Sequence, residues 1–382
     1  MTKASASGDG ARRPAARPTL GSVAARAGVS PQTVSNVLNA PHLVRSDTAE
    51  RVKAAVRDLG YRPHRAAQQL RTRRSRVLGL RVESHPSDGV FDRFLHALTD
   101  AAADRDYRIM LYTAPDDAAE IAAYDDLLDR WDLDGIVLTS THPGDRRTSH
   151  LAARGTPCVT FGRPWDDSDH HPWVDVDGAA GTRAATEHLL AAGHRTIGFL
   201  GWPAGPGVGD DRFAGWAAAL HDAGVERGPI VRCDNDPAAG RAAARALLSH
   251  PGLTAVVCVS DILGLGVLGE LSADPDRPER RLAVVGFDDT PMAQLTGLSS
   301  VRQPLADVAR ACIDVITAVL DGSVRGRAPG QVLLTPELVV RSSSVSSAPA
   351  AGTGHTAMPM SVTHPSGRPG RAVRPSEQGG VE

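Results

Sequence analysis

Two sets of side chains in this chain carry chemistry. The first is Gln32, Thr33, Ser35 and Asn36, on the polar face of a short helix that begins after Ser30. Amides donate and accept together, so Gln and Asn suit base edges, while short hydroxyls suit phosphate oxygens. The second set follows short apolar runs: Glu83 ends VLGLRV, Arg163 follows VTFG, Ser260 and Asp261 follow AVVCV, and Asp288 and Asp289 follow AVVGF. Carboxylates and a guanidinium make paired hydrogen bonds to vicinal hydroxyls, and faces such as Phe91, Trp173 and Trp202 can cover the apolar side of a sugar ring. The first set points to nucleic acid and the second to a polyol. Each strand-end residue also reads as a helix cap or a surface ion pair.

Three helices position the first set. Thr19 caps a helix with Val23, Ala24 and Ala27 on one side, and Gly28 breaks it. Ser30 caps the next, Pro31 takes its first position, and Val34, Val37 and Leu38 face inward. A third helix follows Ser46, with Val52, Ala55, Val56 and Leu59 at helical spacing and Gly60 at its end. On this pattern alone, a small helical bundle without a DNA role is the alternative. Charge favours DNA. Residues 1–76 hold 15 Lys and Arg against 4 Asp and Glu, a net of +11, whereas the remainder holds 27 against 40, a net of −13. The overall net charge of −2 therefore conceals a basic end that attracts phosphate and an acidic remainder.

From Val77 to about Arg341, apolar runs alternate with Ala-rich helical stretches, which predicts α/β architecture with parallel strands covered on both faces. Open sheets of this kind bind ligands at the carboxyl ends of their strands. Gly264, Gly266 and Gly269 form G-x-G-x-x-G, the mark of a nicotinamide-dependent dehydrogenase, but Ser260 to Leu263 intervene after the strand. The glycines then fall inside a helix, where they permit close packing and not pyrophosphate binding. No catalytic Ser, His and Asp set and no metal spacing stands out; His170 and His171 read as solvated beside Asp169. Cys158, Cys233, Cys258 and Cys312 form no C-x-x-C pair, and three of them read as small core residues. The reading is a non-enzyme without cofactor or metal.

Residues 1–18 and those after about Ser342 are poor in large apolar groups and are expected to be disordered. The second tail lacks the leucine heptads of a tetramerising helix, which favours a homodimer. There is no transmembrane run and no secretory signal, so a cytoplasmic location is expected and an exported solute-binding protein is the second reading.

The stretch over residues 19–80, above all AGVSPQTVSNVLN, LGYRP and RAAQQLRTRRS, resembles the lactose repressor and galactose repressor family of bacterial regulators. EHLLAAGHRTIGFLGW, RFAGWAAAL, TAVVCVSDILGLGVLGEL, LAVVGFDDTPMAQL and SSVRQPL carry the likeness through residue 341 in that family's order. The resemblance implies a ligand-controlled transcriptional regulator, most simply a repressor, that binds a palindromic operator as a homodimer. It makes residues 19–63 a helix-turn-helix domain, with Pro31, Gln32 and Asn36 nearest the bases and Thr33 and Ser35 nearer the backbone. Residues 64–76 become a hinge helix and linker carrying Arg65, Ala67 and Leu70, in which Leu70 pries a central base step in the minor groove.

Residues 77–341 become an effector domain like the periplasmic sugar-binding proteins. Its first subdomain is expected at about 77–174 and 300–325 and its second at about 175–299 and 326–341. Arg212 matches the family's ligand-binding arginine, joining Asp288, Ser260, Asp261, Glu83, Phe91, Arg163 and Trp202 as effector candidates. Asn36 stands where Arg is common, Ser22 where Asp is usual, His64 where Asn is usual, and Ser260 where Asn is commoner. Asn pairs best with adenine whereas Arg reads guanine, so operator preference shifts with Asn36.

Overall fold

The computed structural model describes residues 18–61, 74–82, 89–166, 171–205, 207–273, 282–322 and 330–345. Thr19 and Ser22 cap α1 (Leu20–Ala27) reciprocally: Ser22 N donates to Thr19 Oγ1 at 3.2 Å, and Thr19 N donates to Ser22 Oγ at 2.8 Å. Serine at that position thus completes a capping box and does not weaken the helix start. Gly28 takes a left-handed φ of 65° and ends α1; Ser30 then accepts from Thr33 N, and Pro31 opens α2 (Pro31–Asn39). The next helix, α3 (Ser46–Leu59), begins at Ser46 itself with no side-chain cap, one residue earlier than a Ser46 cap predicts. Val23, Val34, Val37, Val52 and Tyr61 form the small core between these helices.

Beyond residue 73 the chain builds two lobes. It runs through β1 (Val77–Val82), α4 (Val90–Asp104), β2 (Arg108–Thr113), α5 (Asp117–Trp131), β3 (Gly135–Leu138), α6 (Arg147–Ala153), β4 (Cys158–Phe161) and β5 (Trp173–Val176). It then enters the second lobe with α7 (Gly178–Ala191), β6 (Ile197–Gly201), α8 (Val208–Asp222), β7 (Ile230–Arg232), α9 (Pro237–Leu248), β8 (Ala255–Cys258), α10 (Asp261–Ser272), β9 (Ala283–Phe287), α11 (Pro291–Thr296) and β10 (Ser299–Arg302). A return through α12 (Leu305–Leu320) and β11 (Gln331–Leu334) to the first lobe precedes β12 (Glu337–Val339) in the second.

Each lobe holds a six-stranded sheet, ordered β11-β5-β4-β3-β1-β2 and β12-β10-β9-β8-β6-β7. All ladders are parallel except β10 with β12, as continuous apolar strands between helices require. Leu78, Phe94, Val137 and Ile313 sit in the first core, and Phe199, Trp216, Val257 and Phe287 in the second.

Strand pairing corrects the expected subdomain boundaries. Trp173–Val176 pairs wholly within the first sheet, and Ser299–Arg302 wholly within the second. The third crossing lies between Leu334 and Glu337, not near Arg325, because Gln331–Leu334 still pairs with β5. The second tail also starts later than Ser342. Val284 N donates to Ser343 O at 2.8 Å, and the hydroxyls of Ser299 and Ser344 meet at 2.7 Å, so the chain remains packed there. The tails over residues 1–17 and 346–382, the hinge arm with Arg65, Ala67 and Leu70, and Glu83 lie outside the described residues.

Gly264 and Gly266 lie inside α10 as expected. A Cβ on Gly266 would stand 2.9 Å from the Gly240 backbone, and one on Gly264 would stand 3.0 Å from Leu298. They permit α9, β9 and α10 to approach closely. Cys158, Cys258 and Cys312 are buried and free, and burial pushes the Cys158 thiol up to about 12. No helix among the described residues is long and apolar enough to cross a membrane.

Candidate functional site

The face of α2 opposite Val34 and Val37 carries the expected reader residues. Pro31 and Gln32 are exposed, and Gln32 Nε2 donates to Asn36 Oδ1 at 3.0 Å one turn away. That pairing leaves the Gln32 oxygen and the Asn36 amide nitrogen in a fixed relation on one face, a donor and an acceptor together. Thr33 is tied to the cap, its hydroxyl 2.9 Å from Ser30 Oγ, while the Ser35 carbonyl accepts from Asn39 Nδ2 at 2.7 Å. The helix start is thereby held rigid by its own side chains.

Between the lobes lies a cavity of about 260 Å³. The first lobe contributes Phe91 and Phe94 of α4, Phe161 of β4, Asp175 of β5 and the loop Thr139–Thr141 after β3; the second contributes Trp202, Val208, Arg212 and Asp288, with Gln303 at the crossing. The walls are aromatic and the ends polar, the usual composition of a small-ligand site.

Arg212 extends from α8 and is 5% exposed. Its Nη1 donates to Val259 O at 2.6 Å and stands 3.6 Å from Asp288 Oδ1, while its guanidinium lies 3.6 Å from the Phe287 ring centroid and 5.4 Å from that of Trp202. Stacking and pairing hold the planar fork at the cavity wall. Gly178 makes room for this: a Cβ there would stand 2.8 Å from Asp211 Oδ2 and 2.9 Å from Arg212 Cγ. Asp288 Oδ1 accepts from Gln303 Nε2 at 2.7 Å.

Asp288 and Asp289 have φ of 110° and 50°, a conformation that costs non-glycine residues on the order of 1–3 kcal/mol each. The surroundings hold it. Asp289 is fully buried; burial opposes its ionisation, but hydrogen bonds from Arg302 (2.7 Å) and Arg341 (2.5 Å) outweigh that and keep its carboxyl below the usual range.

Four expected effector residues line the cavity: Phe91, Trp202, Arg212 and Asp288. Ser260 and Asp261 do not, and their side chains are engaged behind the wall. Ser260 Oγ donates to Asn235 Oδ1 at 2.6 Å and caps α10, its side chain fully buried. Asp261 Oδ1 accepts from Ser300 Oγ at 2.6 Å and Oδ2 accepts from Thr290 N at 2.7 Å. Burial pushes the Asp261 carboxyl up to about 6, against those hydrogen bonds. It braces the loop that presents Asp288.

Arg163 also lies off the lining, because carboxylates claim it: Nε donates to Asp175 Oδ2 at 2.6 Å and Nη2 to Asp211 Oδ2 at 3.1 Å. Trp173 is half-buried in β5 and does not line the cavity. His171 is not simply solvated, since its Nε2 lies 3.2 Å from Thr160 Oγ1.

The strand-end rule applied to GIVL would have found Thr139, Ser140 and Thr141, and Gln303 follows β10 directly. Thr139 Oγ1 is buried at the cavity without a hydrogen-bond partner. Beneath this loop lies a charged cluster that sequence reasoning missed. Fully buried Arg147 donates to the carbonyls of Thr139 (3.0 Å) and Ser140 (3.3 Å), to Asp145 (2.7 Å) and to Glu120 (3.2 Å). Arg81 reaches Glu120 at 2.7 Å and Asp117 at 3.1 Å. Asp117, His142 and Asp145 lie close enough together to hold a cation, but Arg81 and Arg147 already supply the compensating charge.

Comparison with known proteins adds two family matches. Residues 75–313 match the periplasmic binding proteins and sugar binding domain of the LacI family, and residues 19–64 match the bacterial regulatory proteins of the lacI family. The chain is 34% identical over 341 residues to the HTH-type transcriptional regulator CelR of Thermobifida fusca, covering 86% of this chain and 98% of that protein. A structure of a transcriptional regulator CelR–cellobiose complex superposes with TM-score 0.63 at 32% identity, covering 86% of this chain and all of that one (100%). The lac repressor dimer bound to operator and the anti-inducer ONPF superposes with TM-score 0.70 at 25% identity, covering 86% and 99%.

Proposed function

This chain belongs to the LacI family of bacterial regulatory proteins, and from that premise we propose that it is a sugar-responsive repressor acting on a palindromic operator as a homodimer. The homologues are transcriptional regulators, so the chain's chemistry is recognition and not turnover, with no cofactor or metal. Its place of action is the cytoplasm, where its DNA target lies. Pro31, Gln32 and Asn36 face base edges, Thr33 and Ser35 face the backbone, and Arg65, Ala67 and Leu70 act in the minor groove.

The observation that carries the ligand reading is the cavity itself. The charges of its lining are paired, Arg212 with Asp288 within the wall and Asp175 with Arg163 behind it, while Phe91, Phe94, Phe161 and Trp202 supply flat apolar walls. Such a site has no surplus positive charge for an anion and suits a neutral polyol with an apolar ring face. Arg212 and Asp288 hold the hydroxyls and Phe91 and Trp202 cover the ring. A thermal-shift screen of neutral sugars identifies the ligand, since a ligand at 100 times its Kd adds about 2.7 kcal/mol of stability. A titrated gel shift on DNA upstream of its own gene then tests control. Asp288→Ala keeps operator binding and loses the sugar response; an undiminished response removes Asp288 from the site.

A further inference from the structure

Two arginines of the first lobe reach across the cleft, and both land beside the residues that face the ligand. Arg93 in the first turn of α4 donates through a single nitrogen, Nη1, to the carbonyls of Asp288 and Asp289, each at 3.0 Å. Arg163 spans Asp175 of its own lobe and Asp211 of the other, and Asp211 is the chain neighbour of Arg212. Neither contact is incidental to its element. A cation near the start of a helix opposes the helix dipole, so Arg93 occupies a place that helix stability alone disfavours. Both carbonyls meet that one nitrogen with Asp288 and Asp289 at left-handed φ of 110° and 50°. Asp211 Oδ2 also accepts from Ala179 N at 3.0 Å, which joins the Arg163 contact to the start of α7 directly after the first crossing.

We infer that Arg93 and Arg163 are positioning residues that convert occupancy of the cleft into lobe orientation, each fastening the first lobe to the backbone or the chain neighbour of a ligand-facing residue of the second. The inference rests on the cleft being the effector site. A ligand that turns the Asp288 side chain or shifts Arg212 changes the acceptor geometry for these arginines, and the equilibrium between lobe arrangements follows. Geometry also distinguishes the two. One nitrogen serves both acceptors of Arg93, so lysine can replace it; Arg163 uses Nε and Nη2 toward two separate carboxylates, so lysine cannot.

The test uses the full chain and the variants Arg93→Met, Arg93→Lys, Arg163→Met and Arg163→Lys, each first shown folded by circular dichroism. Operator affinity is measured with and without glucose, galactose, cellobiose and maltose, alongside thermal shift with the same sugars and small-angle X-ray scattering. For the sugar that acts on the parent chain, operator affinity changes at least about fivefold. Arg93→Met and Arg163→Met reduce that ratio to under about twofold while the sugar still raises Tm, and Arg93→Lys restores it whereas Arg163→Lys does not. Folded Met variants with the parent ratio overturn the inference. If no sugar affects the parent chain, the sugar reading of the cleft fails, and scattering judges the latch alone: a larger radius of gyration in both Met variants supports it, and an unchanged one overturns it.

Discussion

The two lobes share a six-stranded plan yet hold their cleft loops by different chemistry. The first lobe braces Thr139–Thr141 with buried ions: Arg81 and Arg147 against Asp117, Glu120 and Asp145, with His142 at the rim. The second holds Asp289 between Arg302 and Arg341 but anchors Thr290 through one carboxylate with neutral donors, Asp261 accepting from Ser300 Oγ and Thr290 N. An ion network fixes a loop firmly but depends on every member, whereas neutral donors to a single acid lose less when one is removed. Two guanidiniums face three carboxylates in the first lobe, so a protonated His142 completes the balance. Both ring nitrogens of His142 meet acceptors, Pro143 O at 3.0 Å and Asp117 Oδ2 at 2.7 Å, which only the imidazolium satisfies.

The sharpest way to break this contrast is Arg147→Met. It leaves the fully buried Glu120 with only Arg81 and the Tyr112 hydroxyl and removes the donor to two loop carbonyls, so urea unfolding reports a loss of about 3–5 kcal/mol. Asp261→Asn in the second lobe retains one acceptor and costs about 1–3 kcal/mol. Equal losses from the two variants would end the distinction.

The pH windows differ as well. Asp261 is raised from 3.8 to about 6, chiefly by burial, so its contribution is fully present below the unfolded value and is lost as pH rises through about 6. The loss is on the order of 3 kcal/mol, and Asp261→Asn flattens the stability profile between those values. His142 is raised above 6.5, first by its bond to the Pro143 carbonyl and then, against desolvation, by Asp117; its contribution is present below 6.5 and lost as pH rises through the higher folded value. Its side chain is about half exposed, so His142→Gln removes under about 1 kcal/mol, confined to that upper window. A profile that bends in a single window would show the lobes to be braced alike.

Fold class was legible because apolar runs between helical stretches have few arrangements. The helix caps of the reader were legible because Thr19, Ser30, Pro31 and Gly28 act locally. In the cleft, strand-end position gives an address but not a direction. Asp261 and Asp288 both follow a strand, yet one side chain turns beneath the neighbouring loop and the other into the cavity. Nothing in the local sequence marks Arg147 and Glu120 as interior; only tertiary packing makes them so. QVLL carries no sign of which lobe it joins, because the partner of a short edge strand is set by pairing and not by its own residues.

The passage from Gln331–Leu334 to Glu337–Val339 has a consequence for biosynthesis. That stretch supplies an outermost strand to each sheet, and α12 packs against the first sheet only after β6 to β10 of the second lobe have been made. On the ribosome, therefore, neither sheet can gain its last strand until that stretch has emerged, and the two are completed in close succession. A nonsense mutation shortly before Gln331 would strip an edge strand from both halves at once.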